Sequence, residues 1–170
     1  TTMSTENLHH SAAVEKLREM VNKIDIGMLC TFTSGSVYPH AIPMSRQEAD
    51  PEGNIWYLFS SESETYANLK NNNKVSVLFS HVGDYNFLSI NGTAEISEDK
   101  DRIEKYWNKM MEGWFEKGKE DPRIRVLKVT PQEAHYWDNK TNKLMTILKV
   151  AASAVSGQQL DIGREGDLNL

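Results

Sequence analysis

The chain has 170 residues, 39% of them apolar and 25% charged, with four Trp and a formal net charge of −5. That length supports one domain, spanning 1–170, with a core that buries roughly 70% of the unfolded chain's surface, and the composition excludes a disordered or fibrous chain. The acidic balance argues against a nucleic-acid partner, whose phosphates select a basic face, and no apolar run approaches the ~18 residues that span a bilayer. With the polar start TTMSTENLHH, this argues for no membrane partner and a cytoplasmic location. Cys30 is the sole cysteine, so an intrachain disulfide and a cysteine-based zinc site are both excluded.

In chain order, Ser4 or Thr5 is expected to cap a helix over about 5–24, with Val14, Leu17, Val21 and Ile24 forming one apolar stripe. The period then changes. Residues 28–33, a turn at Ser34-Gly35-Ser36 and residues 37–44 read as strand, hairpin and strand. Asp50-Pro51-Glu52-Gly53-Asn54 is a turn signal, and Ile55–Phe59 a third strand. FSSESET, residues 59–65, leads into a short helix that ends in Asn71-Asn72-Asn73, residues tolerant of left-handed backbone. Strand character resumes at Val75–Phe79 and again at Phe87–Ile96, where Gly92 suits a bulge. Ser97 is expected to cap a helix whose contacts come from Ile103, Tyr106, Trp107, Met110 and Met111. Arg123–Thr130, Glu133–Trp137 and Leu144–Val150 complete the strands.

Several short antiparallel strands with only two or three helices favour a closed or half-closed barrel, because closure removes exposed strand edges. The tail, about 157–170, carries three glycines and few apolar residues, and is expected along the surface or across a partner subunit. Histidines fit no metal template, since His9 and His10 are adjacent and His40, His81 and His135 stand alone. Neither a P-loop nor a nucleophile elbow is present. Cys30 reads as a small core residue.

FSSESET has two readings that share one physical basis. A helix start offers unpaired N–H groups and partial positive charge, which a capping hydroxyl or a bound phosphate can satisfy. Taken locally, Ser60 or Ser61 with Glu62 and Glu64 suffices as a cap, and those acids repel a phosphate. Trp114-Phe115 and Tyr136-Trp137 read either as core and dimer packing or as platforms for a flat ring.

The ordered set of Pro43-Met44, Ile55-Trp56 leading into Ser60-Ser61-Glu62-Ser63, Asn91-Gly92-Thr93-Ala94, Trp107, Trp114-Phe115, Lys117–Pro122, Leu127–Pro131, Tyr136-Trp137-Asp138 and the tail glycines resembles one family. It is that of the general stress proteins in the pyridoxamine 5′-phosphate oxidase-like superfamily, and the resemblance runs from about Val14 to Leu170. It implies a mainly β fold, a six- to eight-stranded antiparallel split β-barrel with peripheral helices, holding FMN at a homodimer interface. By position it implies that Ile42, Pro43, Met44 and Leu58 approach the flavin ring, that Phe87 flanks it, and that Phe59 belongs to the cofactor site. Ser60, Ser63 and Thr65 would face ribityl and phosphate, while Trp114 and Trp137 would come from the other subunit.

The resemblance also implies an Arg where this chain has Ile42 and a Lys where it has Thr65, so FMN is expected to bind weakly unless Lys70, Arg46 or Lys119 substitutes. True oxidases of the superfamily carry an Arg-x-His pair where Lys143-Leu144-Met145 stands, which argues against pyridoxamine 5′-phosphate oxidation. The expected function is thus an FMN-dependent oxidoreductase acting on a small substrate. The alternatives are a non-catalytic split-barrel dimer without tight flavin, and a haem- or deazaflavin-binding barrel using His40, His81 or His135.

Overall fold

Period-two alternation of apolar residues builds most of the molecule. The computed structural model describes residues 2–139 and 161–170. Its strands are β1 (Thr2–Thr5), β2 (Leu8–His9), β3 (Ile26–Thr31), β4 (His40–Ser45), β5 (Glu48–Ala49), β6 (Ile55–Ser60), β7 (Lys74–His81), β8 (Asn86–Ser97), β9 (Ile124–Asn139) and β10 (Asp161–Asn169). Three α-helices accompany them, α1 (His10–Lys23), α2 (Glu64–Asn71) and α3 (Lys100–Tyr106). The sheet runs β1-β10-β9-β8-β7-β3-β4, with β6 added to β9 and β5 to β6, and the fold is the mainly β split barrel that the sequence implied. No helix among the described residues is long and apolar enough to cross a membrane.

The longest strand organises the rest. β9 pairs with β8 over Val126–Trp137, with β6 over Ile124–Val129, and with β10 over Ala134–Asn139. A bulge between these halves bends the sheet: Asn91 pairs with Glu133 and Gly92 with Pro131, so Gln132 is the extra residue. Pro131 is tolerated there because a bulge does not need its missing N–H. Gly92 is required by a close approach, since a Cβ there would lie 2.2 Å from the Thr130 carbonyl oxygen.

Two apolar clusters result. The barrel interior is filled by Leu29, Tyr57, Val77, Phe79, Ile90, Leu127 and Tyr136, and α1 closes it with Ala13, Leu17, Met20 and Val21. On the other face of β6 and β9, α3 and the chain after it cover Trp56, Ile124 and Val126 with Ile103, Tyr106 and Phe115. Cys30 is buried and burial pushes its thiol up, which fits the expected small core residue.

Several local expectations are corrected. α1 begins at His10, not near residue 5, because Ser4 and Thr5 lie in β1, paired parallel with the tail. Asn72 follows α2 with extended backbone, so the asparagines do not end it in a left-handed turn. Asp99, not Ser97, caps α3, its side chain accepting from Arg102 N. α3 stops at Tyr106, which leaves Met110 87% exposed rather than in the core, whereas Phe115 is buried, as its core reading expected. Residues 124–139 form one strand instead of two. The expected strand over Leu144–Val150, the Lys143-Leu144-Met145 stretch and Gly157 lie outside the described residues.

The tail is the largest correction. Rather than lying along the surface or across a partner subunit, β10 sits between β1 and β9 with Leu168 in the core. A buried charge network holds it: Lys16 Nζ donates to Asp138 Oδ2 at 2.5 Å, and Arg164 donates to both Asp138 oxygens at 2.7 and 3.0 Å. Burial alone would raise the Asp138 carboxyl, but these hydrogen bonds hold it below the usual range.

Two outcomes follow from this architecture. Gly92→Ala should destabilise the chain by about 2 kcal/mol in urea unfolding, because the added Cβ must displace backbone rather than a mobile side chain. The lowered Asp138 carboxyl contributes stability that is present above its unfolded pKa and lost as pH falls through its folded value. Asp138→Asn should therefore be destabilised by about 3 kcal/mol at pH 7 and show a shallower acid-unfolding slope between pH ~4 and ~2 than the parent.

Candidate functional site

The end of β6 and the start of α2 form the site that the sequence singled out. β6 finishes beside the start of β9, where Ser61 N–H donates to the Arg123 carbonyl at 2.8 Å. The turn then satisfies itself. Ser60 Oγ accepts from Glu62 N at 3.1 Å, while Ser63 Oγ donates to the Ser60 carbonyl at 2.7 Å and accepts from Tyr66 N at 3.1 Å. The cap is thus Ser63 rather than Ser60 or Ser61, with Glu64 supplying the first-turn acid.

Thr65 differs from its neighbours. It is 1% exposed, and its Oγ1 is buried with no hydrogen-bond partner. Thr65, Asn68 and Leu69 form the buried face of α2, and Asn68 Nδ2 donates to Thr31 Oγ1 at 3.0 Å, fixing this face against β3. Thr31 is in register with His40 on β4. The His40 Nε2 lies 3.4 Å from Glu64 Oε2, and its Nδ1 is a second buried atom without a partner. Thr65 Oγ1 and His40 Nδ1 are therefore two unpartnered polar atoms around one helix start.

The nearby cations are mostly committed. Arg123 donates to Asp121 at 3.0 and 2.8 Å and lies 3.7 Å from Glu62, and its bonds hold the Asp121 carboxyl well below the usual range. Two of the proposed charge substitutes are held elsewhere: Arg46 donates to carbonyls of Val21 and Asn22, and Lys119 to Glu104 at 2.7 Å. Lys70 lies over the Tyr66 ring at 6.0 Å.

The remaining sequence-derived residues divide among three surfaces. Ile42 packs against the barrel core, Met44 and Phe59 lie within it, and Phe59 sits 6.1 Å from Tyr66. Leu58 packs against the α3 cluster instead, because strand neighbours face opposite ways. Pro43 points outward in register with Met28, which pairs onward with Leu78. Phe87 and Trp137 are register partners on that outer side, and Trp114 is 79% exposed in the turn after α3. One protomer brings Ser60, Ser63, Thr65 and Phe59 together, but does not bring the three more distant aromatics to them.

His40, expected near the ligand ring as an axial nitrogen, lies instead beside Glu64 at the start of α2. The signal was available: His40 and Ile42 are two apart on one strand, hence on one face. The other two candidates for that axial role contact acids, His81 lying 3.3 Å from Asp84 and His135 2.7 Å from Asp167. Among the described residues no group of three or more His, Cys, Asp and Glu could hold a metal ion.

The strand order and the helix start beside β4 define a split-barrel protein. The family model for pyridoxamine 5′-phosphate oxidase-like proteins matches residues 12–161, and the chain belongs to that family. The crystal structure of a protein described as general stress protein 26 from Jannaschia sp. superimposes with a TM-score of 0.78 at 22% identity, covering 92% of this chain and 97% of that one. The general stress FMN/FAD binding protein of Xanthomonas citri gives a TM-score of 0.63 at 27% identity over 76% of this chain and 90% of that one. Protein bli-3 of Neurospora crassa is 28% identical over 126 residues, 68% of this chain, and the match spans 60% of bli-3.

Substitutions separate the hydroxyls by role. Ser63→Ala should cost about 1 kcal/mol by removing the cap. Thr65→Val should leave thermal stability unchanged or slightly raised, because it replaces a buried hydroxyl that has no partner. Calorimetry on the two variants checks both.

Proposed function

We propose that the chain is a cytoplasmic, homodimeric FMN-binding protein that acts as a flavin-dependent oxidoreductase on a small substrate. One observation carries this reading: the Thr65 hydroxyl is buried and unpartnered at a helix start that Ser63 already caps. A purely structural turn gains nothing from that hydroxyl, whereas a phosphate oxygen would satisfy it. The amides of Glu64 and Thr65 lack intrahelical acceptors, as at any helix start, and suit the same oxygen atoms. The residues present thus fit the phosphate end of FMN through neutral donors, with Glu62 and Glu64 weakening the fit.

When bound, FMN would supply the electron transfer, and the protein's part is to bind, orient and dry it. Thr65 and the α2 amides would hold the phosphate end, and Ser60 and Ser63 would shape the turn rather than bind directly. A second copy is supported by the outer sheet face, where Ile26, Met28 and Leu78 are 56, 39 and 43% exposed in adjacent register. Burying this strip would bring Phe87, Trp137 or Trp114 of one protomer toward the helix start of the other. The description of the Xanthomonas citri relative as FMN/FAD-binding supports the choice of cofactor.

A second reading, a split-barrel dimer without tight flavin, is favoured by the engagement of Ser60 and Ser63 in the turn and by Glu62 and Glu64 beside it. Titration with FMN, followed by flavin fluorescence, separates the two. The first reading expects saturable quenching with a Kd on the order of 1 μM, weakened by the missing charged partners. No uptake at any flavin concentration would favour the second. Sedimentation should show a dimer that Met28→Asp combined with Leu78→Glu converts to monomer, with flavin uptake lost in parallel.

A further inference from the structure

We propose that His40 is the cationic anchor for the phosphate end of the ligand, so that this site grips a phosphate monoester more tightly when the imidazole is protonated. The inference rests on the FMN reading above and adds a residue and a regulation to it. His40 begins β4, opposite Thr31 of β3, whose hydroxyl is tied to Asn68 of α2. This arrangement fixes the imidazole against the first turn of α2, with Nε2 3.4 Å from Glu64 Oε2. The other nitrogen, Nδ1, is buried and has no partner, as is Thr65 Oγ1 one residue beyond Glu64.

A buried polar atom without a partner is costly, and a ligand oxygen at this helix start would offer one to the Thr65 hydroxyl and, in the protonated imidazole, to His40 Nδ1–H. A phosphate monoester carries close to two negative charges near neutral pH, which neutral hydroxyls and amides offset only in part. The guanidinium nearest the turn, Arg123, is committed to Asp121 and Glu62. Lys70 lies over Tyr66. The charged group facing His40 is Glu64 from α2, while β3 and the inner face of α2 present the neutral Thr31 and Asn68. With Nε2 directed at Glu64, a protonated imidazole would present Nδ1–H to the ligand. Histidine is the side chain suited to such a switch between pH 5 and 8.

Riboflavin, which lacks the phosphate, provides the internal control. Dissociation constants for FMN and riboflavin are measured on the full chain by fluorescence quenching at pH 6.5 and 8.0. In the parent chain the preference for FMN over riboflavin should rise about tenfold from pH 8.0 to 6.5. His40→Gln should lower the preference at pH 6.5 about tenfold and flatten its pH dependence, with riboflavin affinity unchanged as proof of an intact fold. His40→Lys should keep the higher preference at both pH values. A parental pH slope retained in His40→Gln, where the phosphate's own ionisation remains, overturns the role of His40 and leaves the FMN reading standing. Failure of the parent chain to take up either flavin removes both.

Discussion

The two-sided commitment of β9 is the constraint on which the structure depends. A strand that pairs with β6 in its first half and β10 in its second must bend between them, and the bulge at Gly92 and Pro131 supplies the bend. The close approach of Gly92 to the Thr130 carbonyl allows β8 to follow. From this one feature come the two apolar clusters, one inside the barrel and one beneath α3. It also sets where β6 ends, and hence where the helix start at Ser63 and Thr65 faces β3 and β4.

The termini complete the closure. β10 enters the sheet between β1 and β9, and Asp138 joins Lys16 of α1 to Arg164 of the tail, so helix, barrel and tail share one buried carboxylate. Removing charges from water is costly, so such a network persists only where each member is paired. Tyr136 adds to the lock by donating from its hydroxyl to the Glu6 carbonyl at 2.8 Å. Among the described residues the sheet ends in β1 on one side and in β4, which carries His40 and Pro43, on the other.

Around the helix start, the hydroxyls divide between those that satisfy the turn and one that stays buried without a partner. Ser60 and Ser63 satisfy neighbouring amides, since a hydroxyl within three residues of an N–H needs little chain entropy to reach it. Thr65 is turned inward by the α-helical spacing it shares with Asn68 and Leu69, away from those amides. The serines thus serve the turn, while Thr65 Oγ1 and His40 Nδ1 are left buried without a partner.

Patterns of local origin were legible in the sequence. The stripe of Leu17 and Val21, the alternation through Phe87–Ile96, the bulge at Gly92, the helix after FSSESET and the burial of Cys30 depend on periodicity and intrinsic residue preference, which neighbours in the chain already express. What required the tertiary structure were features set by distant partners. The glycine-rich tail reads as a surface segment because its order comes from Asp138, Lys16 and β1 rather than from its own apolar residues. Phe115 is buried and Met110 exposed because α3 stops at Tyr106 and the following turn reorients the chain. His40 looked isolated because Thr31, Glu64 and Thr65 meet it only when β3, β4 and α2 pack. The sequence by itself determined the locally patterned elements and the helix start after FSSESET; tertiary packing decided which hydroxyls were already satisfied and which buried atoms were left without a partner, because those contacts come from residues distant in the chain.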